Sequence, residues 1–275
     1  FSLNMPIFSS KDLTYDLTVN YGTQVSMIDA IKGGATIPLT SSAGSTNVVL
    51  VAGKPIGQIY AYPVVRSLDQ KRTDGTSYFT DANKASGRYV VVTDPVYGGN
   101  VVVDTATKGA MIGSEQLPLG DPSPKFTMNF INNITYKDFI NLNFQFDWIN
   151  GAHLYNQTKE WMFRDGISSD YTKPVTINGQ TGAWSAYYAS AYYALGNTAK
   201  GVGNNVTKDF FYYDASFVRL RNVSVGIDFA KLTDMKWAKK AQLVLSGRNL
   251  LTFTKYDGLD PEISSGASNS SYDRG

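Results

Sequence analysis

The chain has 275 residues, 43% of them hydrophobic, and a formal net charge of +2 with 17% charged residues, which excludes wholesale disorder and a basic nucleic-acid-binding surface. Cysteine is absent and His153 is the single histidine, which removes disulfides, thiol nucleophiles, thiolate metal sites, His-based triads and His-rich zinc centres. No apolar run approaches the ~18 residues that a membrane-spanning helix requires, the longest lying around Val48 to Ala52.

Phe1 to Phe8 reads as the tail of a strand, followed by a short turn at Ser9-Ser10. From Lys11 to Met27 a second strand is expected, because Leu13, Tyr15, Leu17, Val19 and Tyr21 alternate with Thr14, Asp16, Thr18 and Asn20. Residues 29–125 read as a long connection. It contains Lys54-Pro55-Ile56-Gly57-Gln58-Ile59-Tyr60-Ala61-Tyr62, then Asp94 and Asp104 among Val and Gly, then Ile112-Gly113 and Pro124-Lys125-Phe126.

The clearest strand pair runs from Phe126 to Asn150. Phe126, Met128, Phe130, Ile134 and Tyr136 alternate with Thr127, Asn129, Asn133 and Thr135, and a turn at Lys137-Asp138 reverses the chain. On the return, Ile140, Leu142, Phe144, Phe146 and Trp148 share one face, and Asn141, Asn143, Gln145 and Asp147 share the other. Residues 152–215 form a second long connection, with His153 as a polar loop residue and an aromatic run at Trp184, Tyr187, Tyr188, Tyr192 and Tyr193. Two further strand-like runs lie within Ser216 to Glu262, separated by a short polar turn near 231–240 and ending in Tyr256-Asp257-Gly258-Leu259-Asp260-Pro261-Glu262.

Alternation of this kind suits either a soluble β-sandwich or an outer-membrane barrel. Runs of ~10 residues match a tilted membrane crossing better than a soluble strand, and Tyr136, Trp148 and Phe253 at the run ends suit interfacial girdles. Short turns alternate with long connections, which places the turns on the periplasmic side and the long segments outside. Strands starting at Lys11, Phe139 and Ala241 then run outward, and those starting at Phe126 and Ser216 run inward. About six strands are fewer than the ~8 of the smallest bacterial barrel, so they are expected to pair with strands beyond this chain.

The run Ser216 to Glu262 resembles the C-terminal signature of SusC/RagA-type TonB-dependent outer-membrane transporters, through Arg219, Arg221, Asn222, Asn249, Tyr256, Asp257, Gly258, Asp260, Pro261 and Glu262. The segment Lys54–Tyr62, with Ala61 where the family has glycine, is similar to the family's Gly-x-Pro-x-Gly-x-x-Tyr-Gly-Tyr segment; Ile112-Gly113 and Pro124-Lys125-Phe126 resemble its entry into the next strand. The family's acidic, glycine-rich stretch is reduced to Asp94 and Asp104, and no cation site is expected there. The resemblance implies an all-β antiparallel transmembrane β-barrel segment: about six strands of a ~22-stranded barrel, with residues 1–275 its C-terminal part and segments 29–125 and 152–215 its long extracellular loops. The final strand, the plug and the TonB-contacting region are expected outside this chain.

The same resemblance implies import of an oligosaccharide or peptide across the outer membrane, without catalytic activity, cofactor or metal. Its implied partners are a SusD-like surface lipoprotein, TonB, outer-membrane lipid and the remainder of the same barrel, with no nucleic acid. Lumen-facing candidates are Asn141, Asn143, Gln145, Asp147, Gln242, Ser246 and Arg248, since amides and charges suit a hydrated wall. Trp184, Tyr187, Tyr188, Tyr192 and Tyr193 are candidates for contact with solute or lid protein, with packing inside the loop as the bland alternative. The carboxylates Asp260 and Glu262 are too close in sequence, with no apolar pocket in view, to suggest a glycosidase pair. A secreted, soluble β-rich carbohydrate-binding or adhesion protein is the alternative reading.

Overall fold

In a computed structural model of the protein, the described residues are 1–34, 36–40, 47–96, 98–107, 109–184, 209–238, 240–262 and 272–273. The chain divides into two compact units.

The first unit comprises Phe1–Val25, Ser123–His153 and Asp214–Tyr256. It is built on a six-stranded sheet of β1 (Ser2–Ser9), β2 (Leu13–Gly22), β3 (Phe126–Tyr136), β4 (Ile140–Asn150), β5 (Phe217–Asp228) and β6 (Gln242–Thr254), in that spatial order. Every neighbouring pair is antiparallel. Register keeps the two faces largely distinct in chemistry, because most β3 residues face residues of like character on both sides. Phe130 sits between Val19 and Phe146, and Asn129 between Asn20 and Asp147. Between β3 and β4 the reversal uses Lys137 and Asp138, both at positive φ, the left-handed geometry of a tight hairpin turn.

Two adjacent residues of β3 depart from their faces, Ile131 standing in the polar row between Thr18 and Gln145. Asn132 lies in the apolar row between Leu17 and Phe144 and is buried. Its amide nitrogen donates to the Phe130 and Phe144 carbonyls, and its oxygen accepts from the Tyr15 hydroxyl at 2.7 Å. Pairing of both ends offsets the cost of placing an amide among aromatic side chains.

The second unit comprises Ser26–Pro122, Leu154–Tyr213 and Asp257–Gly275. It contains a four-stranded sheet (Ile37–Thr40, Asn47–Leu50, Ile59–Ala61, Leu117–Gly120), a three-stranded sheet (Tyr89–Asp94, Gly99–Asp104, Gly109–Ala110) and a hairpin (Pro174–Ile177, Gln180–Ala183). The helix Gln157–Arg164 starts at Asn156, whose side chain accepts from the Lys159 amide at 2.8 Å. A large buried cluster lies here. Phe163 stands edge-on to Trp184, Phe210, Phe211 and Tyr171 with ring centroids 5.1 to 5.8 Å apart, and Val64, Val101, Val103 and Ile112 close the cluster.

These features correct the expected transmembrane β-barrel segment with long extracellular loops. The six-stranded sheet is open, with β1 and β6 at its two edges and no pairing between them, and no sheet among the described residues closes on itself. Closure requires the last strand to bond the first. The segments expected to be loops instead carry their own sheets, short helices and buried apolar core. Their strands escaped detection because they are mostly three to six residues long, too short to establish a period.

Candidate functional site

Alternation along β4 brings Asn141, Asn143, Gln145 and Asp147 to the polar face of the large sheet, and Gln242, Ser246 and Arg248 of β6 share that face through β5. Side chains on this face form a ladder of cross-strand hydrogen bonds. Thr135 Oγ1 donates to Asn141 Oδ1 at 3.1 Å, Asn143 Nδ2 donates to Asn133 Oδ1, and Asn222 Nδ2 reaches Asn143 Oδ1 at 3.4 Å. Asp147 is the focus. Its Oδ1 accepts from Asn129 Nδ2 at 2.8 Å and Gln145 Nε2 at 2.6 Å, and its Oδ2 accepts from Arg221 Nε at 2.6 Å.

A β-bulge creates the arginine end of this face. Register skips Arg221, so Leu220 faces Phe146 while Asn222 faces Gln145. Without the bulge, strict alternation would put Arg219 and Arg221 on one face and Asn222 on the other. With it, Arg219 pairs opposite Asp147, Arg221 reaches the same carboxylate, and Asn222 joins the polar face. On β6 the matching irregularity lies at Asn249, which adopts a φ of 52° and accepts from Arg221 Nη1 at 3.2 Å. Arg219 is buried, donating from Nε to Thr252 Oγ1 at 2.9 Å and lying over the Phe217 ring. Arg248 faces Asn222 across the strands, exposed, and makes no hydrogen bond or ion pair among the described residues.

The rest of the signature belongs to local structure rather than to this face. The Tyr256 amide donates to Thr254 Oγ1 at 3.0 Å, and the Glu262 amide donates to Asp260 Oδ1 at 2.8 Å, forming a tight polar turn around Pro261. In the second unit, Asp257 accepts from Lys159 Nζ at 2.6 Å, and its carbonyl accepts from Asn156 Nδ2, so Gly258 and the residues after it leave from a pinned point. Lys159 also lies 3.7 Å from Asp170 and packs over the rings of Phe210 and Tyr213. Burial by itself would lower the Lys159 pKa, but Tyr213 and Asp257 outweigh it and raise the value. Burial pushes the Tyr213 hydroxyl up, with the Lys159 charge opposing it.

Trp184 is fully buried, with its indole nitrogen donating to the buried Asp94 carboxylate at 3.1 Å. Tyr187, Tyr188, Tyr192 and Tyr193 lie outside the described residues. Asp94 also accepts from the Val96 amide, while Asp104 is held by Arg88 through Nη2 at 2.7 Å and Nε at 3.0 Å. Hydrogen bonds from Arg88 hold the Asp104 carboxyl below the usual carboxylate range against the opposing effect of burial. Among the described residues, no group of three or more His, Asp or Glu side chains is placed to hold a metal ion. Sequence reasoning passed over Asn129 and Asn133 as members of the polar ladder; their place opposite Asp147 and Asn143 required the register.

No protein-family model matches the chain. It is 26% identical to a TonB-dependent receptor of Formosa agariphila over 95% of this chain and 24% of that protein. It is also 26% identical to TonB-dependent receptor SusC of Bacteroides thetaiotaomicron over 100% of this chain and 24% of that protein. Among solved structures it is similar to the RagAB peptide transporter, at 18% identity and a TM-score of 0.58, covering 99% of this chain and 27% of that one. The RagAB peptide importer in its open-open state matches with a TM-score of 0.54. The chain thus spans about a quarter of the length of these relatives.

The likeness to SusC/RagA-type receptors is distant, and the open sheet corrects its reading as a barrel segment with transmembrane strands. What the similarity supports is a general, transport-associated role for an outer-membrane-associated protein. The relatives carry the names of TonB-dependent receptors and of a peptide transporter.

Proposed function

We propose that this chain is part of a larger receptor that imports a nutrient, an oligosaccharide or a peptide, across the outer membrane in a TonB-dependent manner. The observation that carries this reading is similarity along nearly the whole chain to TonB-dependent receptors, joined to a sheet face composed of amides, hydroxyls and arginines. Polar groups that exchange hydrogen bonds at low cost suit a wall past which a hydrated solute moves. In this reading Asn141, Asn143, Gln145, Asp147, Gln242, Ser246 and Arg248 line the path. Segments 29–125 and 152–215 lie on the external side, where Tyr187, Tyr188, Tyr192 and Tyr193 contact solute or a SusD-like surface lipoprotein. TonB is the energy-coupling partner in this reading.

Uptake by whole cells tests the proposal. Deletion of the full-length gene is expected to abolish accumulation of a labelled oligosaccharide or peptide pool, and a protonophore is expected to do the same in the parent strain. Accumulation that survives both treatments would overturn it.

A further inference from the structure

We infer that the turn between β5 and β6 docks onto an anionic phospholipid surface, lying on it without crossing. The inference goes beyond the transport reading and does not depend on it. Antiparallel order places the β1–β2, β3–β4 and β5–β6 turns at one end of the large sheet. Two of these turns are short and balanced in charge, with Lys11 beside Asp12 and Lys137 beside Asp138. The third is longer and basic, because residues 229–241 carry Lys231, Lys236, Lys239 and Lys240 against Asp234 alone. Backbone bonds hold this turn closed. The Phe229 amide donates to the Ala241 carbonyl at 2.7 Å, the Met235 amide donates to the Ala230 carbonyl at 3.0 Å, and Asp228 Oδ1 accepts from the Ala230 and Ala241 amides.

What the turn exposes is apolar and cationic together. Trp237 is 84% exposed, with Leu232 at 47% and Phe229 at 36%, whereas Trp148 and Trp161 are half-buried and Trp184 is fully buried. Lys236 and Lys240 are exposed and make no hydrogen bond or ion pair among the described residues, and Lys231 donates only to the Asp138 carbonyl at 3.1 Å. A tryptophan ring favours the boundary between headgroups and acyl chains, and lysine stems reach from that depth to the phosphates. Each lysine near an anionic surface adds to its attraction, so charge complementarity selects the lipid. A headgroup also has a place beside the turn. Lys231 and Lys240 line a cleft of about 390 Å³ with Asn141, Gln242, Asp138 and Asp228. Two ammonium groups answer a phosphate there, while the amides and the Oδ2 that Asp228 keeps open accept from glycerol hydroxyls. Phosphatidylglycerol presents both kinds of group.

Fluorescence of the purified full-length protein tests the inference, with Trp237→Phe as the blank whose subtraction isolates the emission of Trp237. The probes are vesicles of phosphatidylcholine alone and of phosphatidylcholine mixed with phosphatidylglycerol, each with brominated acyl chains. Emission of Trp237 is expected to shift to the blue and to be quenched with phosphatidylglycerol present, and to recover at high salt. The double variant Lys231→Gln, Lys240→Gln is expected to raise the lipid concentration needed for half quenching by about tenfold. An unchanged melting temperature shows that the variants fold. Quenching that is absent, equal in the two kinds of vesicle, or unaffected by the lysine variant would overturn the inference. A blue shift that follows protein concentration without lipid would overturn it too, assigning the turn to contact with a second copy. Solute uptake is measured separately, so the transport reading stands or falls on its own result.

Discussion

At the scale of single residues, the polar face depends on one carboxylate. Asp147 takes three hydrogen bonds, so Asp147→Ala strands Arg221 Nε, Asn129 Nδ2 and Gln145 Nε2 together. The expected loss is about 2–4 kcal/mol, since a partly buried charge and its neighbours lose their partner at once. Urea unfolding of the purified protein measures it, and a change below about 0.5 kcal/mol would show that water replaces Asp147 without cost. Asp104 supplies a pH-dependent counterpart. Its folded pKa is depressed, first by the hydrogen bonds from Arg88, so its contribution is complete above the ordinary carboxylate value and is lost as pH falls through the depressed one. Amide protection factors across Tyr89–Asp94 and Gly99–Asp104 are accordingly expected to drop at acid pH, and Asp104→Asn should flatten that dependence.

At the scale of elements, the paired irregularities of β5 and β6 decide which side chains meet. Asn249 holds a φ of 52°, a region that asparagine tolerates and a β-branched residue does not. Asn249→Val is expected to cost about 1–3 kcal/mol. Asn249→Gly should cost only about 1 kcal/mol, for the lost acceptor to Arg221. Equal costs in an unfolding titration would show that backbone conformation is not what selects asparagine. In the second unit, Lys159 ties the helix Gln157–Arg164 to Asp257. Lys159→Met is expected to speed proteolytic cleavage after Asp257 by about tenfold, a rate readable by mass spectrometry, because the tail loses a charge-assisted anchor. An unchanged rate would mean that the Asn156 bond to the Asp257 carbonyl suffices.

At the scale of the whole molecule, apolar burial is divided unevenly between the two units. The second unit encloses an aromatic core around Phe163, whereas the sheet of the first unit leaves Leu245, Leu251 and Phe253 on its apolar side 67%, 53% and 60% exposed. A contiguous apolar surface of this kind drives association in water. Replacing Leu245, Leu251 and Phe253 together with threonine is expected to reduce self-association of the isolated chain, as read by light scattering against concentration. No reduction would show that these side chains are covered in solution.

Alternating polar and apolar residues by themselves marked β2, β3 and β4 and their two chemical faces, because a period of two persists for about ten residues in each and survives misplaced residues such as Ile131 and Asn132. The turn at Lys137-Asp138 was equally legible, being bounded by alternation on both sides. Strand number alone indicated that six strands are too few to close, but which of them stand at the edges is decided by pairing between strands distant along the chain, and these are β1 and β6. Sequence could not reveal that Arg221 is skipped in the register, because a bulge shifts every later residue by one place without leaving a mark in composition. Only tertiary structure placed Trp184 in a core against Phe163 and brought Arg219, Arg221, Asn222 and Arg248 to one surface. Local pattern sets which face of a strand is wet; long-range pairing decides which wet residues become neighbours.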